Sequence, residues 1–201
     1  MSGSSTHAIP VLWHTSHHEL SVSAPAEPKR AYEAIQKAVI EWDRTMQWFS
    51  ENYYRNETHH SEFYFYMTTG EADVKVNYGT LSNNYLGLAE NVNDRFIITI
   101  ENTLLQNETT ASTETLYRVA LHELGHVMGI GDMYRSQDIM NGLAYFYGNI
   151  AKPSYLSTLD LYAIHTLASN DPAHSFSFIY LPTDLPYVQL NVDQNWDIRI
   201  P

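Results

Sequence analysis

The chain has 201 residues and contains no cysteine, which excludes disulfides, thiol nucleophiles and thiolate metal sites within it. Its 23 acidic and 11 basic residues leave a formal net charge of -12, which argues against nucleic acids and anionic membranes as partners. No apolar run approaches the roughly 18 residues that a membrane-spanning helix needs, and the length fits one domain or one domain with a tail.

The first half of the chain predicts strands grouped around one long helix. Short strands are expected at 9–13 and 20–24. The helix that follows has Pro28 in its first turn, and its apolar residues recur at three- and four-residue steps, as Ile35, Val39, Trp42 and Met46 do. Further β-rich segments lie at 62–69, 72–79, 83–90 and 94–102.

The second half predicts two more helices. Residues 104–113 are expected to be a polar loop, and Thr113 to cap a helix that runs to about Met128. A third helix is predicted at 156–169, where Ser157 and Asp160 have the spacing of a capping pair. Strands mixed with helices, without regular alternation, indicate an α+β domain whose mixed sheet carries the first two helices.

Residues 118–140, RVALHELGHVMGIGDMYRSQDIM, contain the pattern that carries chemistry. His122 and His126 are four residues apart, so a helix places both imidazoles on one face, where they can bind one zinc ion. Glu123 follows the first histidine and lies beside the metal. Its carboxylate can therefore hold a metal-bound water and accept its proton.

A third protein ligand is needed to complete such a site. Gly129 permits the left-handed turn that would bring Asp132 back to the metal, and this spacing favours Asp132. The chain has no glutamate after Glu123, which excludes the class of zinc peptidase that takes its third ligand from a later glutamate. Four other third ligands stay open: Asp138, Asp160, His165 and His174.

The pattern His-Glu-x-x-His-x-x-Gly-x-x-Asp, followed by Met140, resembles that of the metzincin metallopeptidases. Aspartate as the third ligand is similar to the snapalysin-type variant. The flanking segments resemble matrixins over about residues 18–169. The resemblance implies a zincin domain with a twisted mixed sheet, two long helices on it, an active-site helix, a Met-turn at Met140 and a C-terminal helix.

The expected domain organisation follows from the same resemblance. Residues 9–169 would form the catalytic domain, with an upper part to about 128 and a lower part at 129–169. Residues 1–8 are expected to be a flexible or vector-derived terminus, and 170–201 an extension packed on the same domain.

The function that the resemblance implies is that of a secreted zinc endopeptidase. His122, His126 and Asp132 would bind the zinc, Glu123 would activate the zinc-bound water, and Met140 would form a hydrophobic floor. A peptide would bind extended along Leu86, Gly87, Leu88 and Ala89. The wall of the pocket past the cut would come from Leu143, Tyr145, Phe146 and Tyr147.

One catalytic zinc is expected, and we expect a monomer. The segment from 79 to 95 has no histidine and few acids, which argues against a second, structural zinc and against calcium. Sequons at Asn56 and Asn107, with only 17% charged residues, favour an extracellular location.

Two alternatives from other classes stay open. The first is a catalytically inactive metzincin-like module that binds partners or a cell surface. The second is a domain in which zinc only stabilises the fold. Glu123 distinguishes the latter, because a closed structural site has no use for a carboxylate beside the metal.

Overall fold

The computed structural model describes residues 7–13, 19–54, 64–93, 95–106, 109–134, 137–142, 155–170, 175–193, 195 and 198–199. Within these ranges the helices are α1 (Lys29–Tyr53), α2 (Thr103–Gln106), α3 (Thr110–Val127) and α4 (Thr158–Ser169). The strands are β1 (Ala8–Pro10), β2 (Glu19–Ser23), β3 (Tyr64–Met67), β4 (Val74–Gly79), β5 (Gly87–Val92), β6 (Arg95–Glu101), β7 (Phe178–Tyr180), β8 (Asn191–Val192) and β9 (Ile198–Arg199).

The main sheet has five strands in the order β3-β2-β4-β6-β5. Strand β2 pairs in parallel with β3 and β4, and β4 pairs in parallel with β6. Strand β5 is antiparallel to β6 and forms one edge. The expected mixed sheet is therefore confirmed, and its edge strand includes three of the four residues proposed to bind substrate.

Helices α1 and α3 pack on each other and on this sheet. All four residues of the predicted apolar stripe of α1 are buried, which confirms the periodicity. Trp42 Nε1 donates to the backbone carbonyl of Leu121 over 2.8 Å, so the one polar atom of this large side chain is satisfied at the contact between the helices. None of the described helices combines the length and apolar character needed to cross a membrane.

Helix α3 begins earlier than predicted, at the end of the segment expected to be a loop. Its N-cap is Thr109, whose hydroxyl accepts from the backbone N–H of Ser112 over 3.1 Å while Ser112 Oγ accepts from the N–H of Thr109 over 3.2 Å. The prediction of Thr113 as the cap was wrong because this reciprocal pair begins the helix four residues upstream. Short helix α2 also lies in the predicted loop, where Arg30 donates to the carbonyl of Leu105 over 2.6 Å.

Two tail segments contact the rest of the fold. Strand β1 pairs antiparallel with β7 and not with the main sheet. Further along, the N–H of Leu190 donates to the carbonyl of Leu156 over 2.7 Å, and the N–H of Thr158 donates to the carbonyl of Val188 over 2.9 Å. These bonds hold the tail across the start of α4, where Ser157 and Asp160 form the predicted capping box.

Candidate metal centre

Helix α3 carries both histidines on its buried side. His122 Nδ1 donates to the carbonyl of Ile139 over 2.8 Å, and His126 Nδ1 donates to the carbonyl of Ile130 over 2.9 Å. A carbonyl oxygen can only accept, so each ring, when it is neutral, carries its proton on Nδ1 and keeps a lone pair on Nε2. This backbone support is the arrangement that orients histidines for metal binding.

The chain reverses directly after this helix. Gly129 has a φ of +96°, and a Cβ at this position would collide with the backbone oxygen of Trp13. Glycine is therefore required by the backbone conformation and by the space. The left-handed turn expected at Gly129 is confirmed, and it directs the following residues back toward the helix.

Asp132 lies beside the two histidines after this turn. Its Oδ1 is 3.3 Å from His122 Nε2 and 3.7 Å from His126 Nε2. One ligand atom from each of these three residues lies within 4.8 Å of the others, and no second such group of histidine and acidic side chains occurs in the described ranges. Two imidazole nitrogens and one carboxylate oxygen form a donor set that fits zinc.

The other candidates for the third ligand make different contacts. Asp138 accepts from the N–H of Met140 and from the hydroxyl of Tyr187, each over 2.9 Å. Asp160 caps α4 through Ser157, and the ring of His165 stacks on Tyr54 with centroids 3.9 Å apart. His174 lies outside the described residues. The geometry therefore favours Asp132.

Glu123 lies against the edge strand next to this group. Burial raises the pKa of its carboxyl to about 7, although the charge of His122 and a hydrogen bond from the backbone of Ala89 oppose the shift. A carboxyl with a pKa near neutrality can both accept and return a proton. Burial and the neighbouring His122 lower the pKa of His126 to about 4, so its imidazole stays neutral at neutral pH.

Met140 packs beneath the helix. Its thioether is fully buried, and a Cβ on Gly125 would collide with the sulfur. The N–H of Met133 donates to the carbonyl of Met140 over 2.7 Å, which ties the segment after Asp132 to the turn that holds Met140. Gly142, two residues after Met140, leaves room for the carboxylate of Asp132. A Cβ on Gly142 would lie 2.6 Å from that carboxylate.

An open cleft of about 270 Å³ joins these residues. All four residues expected to bind an extended peptide, Leu86, Gly87, Leu88 and Ala89, line it together with the histidines, Glu123 and Asp132. The expected pocket wall, Leu143, Tyr145, Phe146 and Tyr147, lies outside the described residues. Three lining residues were not predicted: Leu12, Tyr85 and Gly142. Tyr85 and Gly142 are next in sequence to predicted site residues, which could have indicated their place in the cleft. No feature of the sequence indicated Leu12.

The fold and this donor set define the class as a zincin-like metal-binding domain. The matrixin model of the peptidase families matches residues 13–168, and the chain belongs to the matrixin family. The expected resemblance to matrixin-type metzincins is thereby confirmed. The family implies a zinc metallopeptidase, and the residues present fit that metal.

Solved structures extend the likeness in fold alone. A chain from the GM1-bound form of the ECX AB5 holotoxin superposes with a TM-score of 0.51 at 11% identity, covering 80% of this chain and 88% of that chain. The comparison with curated proteins gives no match.

Proposed function

We propose that the chain is a secreted zinc-dependent endopeptidase that cleaves peptides bound in an extended conformation. One observation carries the proposal: a buried carboxyl, Glu123, lies between a three-donor metal group and an edge strand that lines an open cleft. A closed structural zinc site has four protein ligands and no such cleft. The half-exposed Asp132 and the cleft therefore support the enzyme over the structural alternative.

His122, His126 and Asp132 would hold the zinc, with aspartate as the snapalysin-type third ligand. When bound, zinc supplies a Lewis acid that polarises a peptide carbonyl and lowers the pKa of water. Glu123 orients the attacking water and takes its proton as the oxygen bonds to the carbonyl carbon. Glu123 then returns that proton to the amine nitrogen as the carbon–nitrogen bond breaks.

Strand β5 supports the extended binding of substrate. Among the described residues it is the last strand of the sheet, so one row of its backbone groups has no strand partner there. A peptide can pair with this row, and its reacting carbonyl then lies over the metal group. We interpret the buried turn at Met140 as the Met-turn, which supports the two histidines from below and touches no substrate.

The remaining parts of the proposal follow from the sequence. One zinc, a monomer and a catalytic domain over 9–169 with a packed extension at 170–201 are the arrangement we propose. The two sequons and the low charged fraction favour secretion. No specific observation favours the inactive binding module, since the base position is occupied by Glu123.

The test compares wild type, Glu123→Gln and Asp132→Asn after loading with zinc. We expect wild type to bind one zinc and to cut a peptide library internally. Glu123→Gln should keep its zinc and lose at least about a hundredfold in kcat, since a positioned base contributes that much. Asp132→Asn should bind zinc at least about tenfold more weakly.

Two outcomes would overturn the proposal. A wild type that holds zinc and cuts no peptide would favour the binding module. Activity unchanged in Glu123→Gln would remove Glu123 from the mechanism, even if the metal site is real.

A further inference from the structure

The N-terminal segment contributes a side chain to the cleft that the motif does not account for. Leu12 lies more than a hundred positions before the histidines, yet it lines the same cavity as His122, Glu123, His126 and Asp132. It is also 48% exposed, in a segment whose neighbours on both sides are more buried. A half-exposed leucine beside a metal group is available to contact whatever occupies the cleft.

The backbone holds Leu12 in this position. Its N–H donates to the carbonyl of Gly129 over 2.8 Å, and the N–H of Gly131 donates to the carbonyl of Pro10 over 2.8 Å. Between them, Val11 bridges Ile130 in antiparallel register. The segment therefore runs as a strand along the turn that delivers Asp132.

Both neighbours of Leu12 in sequence are anchored as well. Trp13 Nε1 donates to the carbonyl of Val127 over 3.1 Å, and the Trp13 ring stacks on Phe96 of the main sheet. The N–H of Val11 donates to the carbonyl of Ser177 over 3.1 Å, beside the pairing of β1 with β7. Because the backbone is fixed at this many points, little backbone entropy is lost when a ligand covers Leu12.

The cleft around Leu12 is apolar away from the metal group. Its other large side chains belong to the edge-strand wall, where Tyr85, Leu86 and Leu88 lie. Besides the phenol of Tyr85, the ionisable groups that line it are the histidines, Glu123 and Asp132, and neither lysine nor arginine is among the described lining residues. Such walls favour an apolar side chain in the occupant.

We propose that Leu12 forms one wall of a substrate subsite, and that its size selects the apolar residue that binds next to the scissile bond. This inference rests on the proposed peptidase function and adds a specificity-determining residue to it. A Cβ added to Gly131 would lie 3.2 Å from Leu12 Cδ2, so one side of the Leu12 side chain lies close to Gly131. Another part of the side chain lines the cleft.

The experiment profiles cleavage of a peptide library by zinc-loaded wild type, Leu12→Ala and Leu12→Phe. At one position of the substrate, Leu12→Ala should move the preference toward larger apolar residues, and Leu12→Phe toward smaller ones. Each shift should be at least about tenfold in the ratio of kcat/KM values, since a single methylene group in an apolar pocket is worth about that much. Phe178→Ala is the matched control, because Phe178 is 50% exposed and pairs with Pro10 but does not line the cleft.

The outcomes separate this inference from the proposed function. Identical profiles for wild type and both Leu12 variants would overturn it, and so would an equal loss at every substrate position. A shift in Phe178→Ala of the same kind would assign the effect to the strand and not to Leu12. A wild type that cuts no peptide would overturn the proposed function first, and the subsite with it.

Discussion

The carboxylate of Glu123 lies against the bare α-carbon of Gly87, the first residue of the edge strand. A Cβ on Gly87 would collide with Glu123 Oε1 and Cγ and with the side chain of Val119. The strand can approach helix α3 this closely only because residue 87 has no side chain.

Gly87→Ala is therefore expected to displace either the strand or Glu123. Misplacement of a catalytic group by about 1 Å costs on the order of a hundredfold in rate, and we expect a loss of that size in kcat/KM. Zinc content should stay unchanged, since no metal ligand moves. The matched control is Gly70→Ala, where the nearest atom to an added Cβ is 3.9 Å away and full activity is expected. Equal activity of the two variants would contradict this relationship.

The packing of Met140 on Gly125 yields a second prediction, on stability. Gly125→Ala should destabilise the protein by about 1–3 kcal/mol, because the added methyl meets a fully buried thioether. Met140→Ala alone should also destabilise it, by leaving a cavity. In the double variant the methyl enters that cavity, so the two losses should not add. Denaturant unfolding measures all four proteins, and strict additivity would show that the two side chains do not compete for space.

Titration of Glu41, which lies outside the metal site, is expected to make the stability of the protein depend on pH. It is buried between α1 and α3, where it accepts a short hydrogen bond from the hydroxyl of Tyr117. Burial raises its pKa above the ordinary value of 4.5, although Tyr117 and Lys37 oppose the shift. The folded state thus binds the proton of Glu41 more tightly than the unfolded state does. This contribution is complete below the ordinary pKa and is lost as pH rises through the folded pKa.

Glu41→Gln should remove this dependence while keeping an acceptor for Tyr117. We expect the variant to gain stability relative to wild type as pH rises from about 5 to about 8, and the difference to shrink toward acid pH. The test is to measure the free energies of unfolding of wild type and Glu41→Gln across this pH range. A wild type that gains stability with pH relative to the variant would have the opposite sign and would exclude a raised pKa.

Substitution of Glu101 is expected to affect substrate binding, although Glu101 does not line the cleft. Its buried carboxylate accepts from the N–H of Leu81 over 2.6 Å and from the N–H of Thr103 over 3.2 Å, at the end of the strand that pairs with β5. These bonds hold the loop that leads into the edge strand. Glu101→Ala should destabilise the protein by about 1–3 kcal/mol through the unsatisfied N–H groups. It should also raise KM more than it lowers kcat.

Glu101→Gln provides the check on that interpretation. Its amide oxygen keeps one acceptor, so part of the KM effect should be restored. If KM is normal in Glu101→Ala while stability falls, Glu101 supports the fold only.

Local sequence patterns determined the parts of this protein that depend on near neighbours along the chain. The stripe of α1, the capping box at Ser157 and the facing of His122 and His126 follow from the helical repeat, which acts over three or four residues. The mixed sheet was also predictable, because alternating segments without regular helical crossovers exclude a fully parallel sheet. The cap at Thr109 was missed, since polar residues in a row offer several hydrogen-bonding registers and only one forms.

The tertiary structure decided which distant residues meet. By chemistry alone, four residues besides Asp132 could have served as the third ligand. The turn at Gly129 directs Asp132 toward the two histidines. The three alternatives that the structure describes, Asp138, Asp160 and His165, make other contacts. Leu12 reaches the cleft because its segment pairs with β7 on one side and bonds to the turn at Gly129 on the other, which joins parts of the chain that are far apart in sequence. Such long-range pairings depend on the packing of the whole domain, and no repeat within the sequence encodes them.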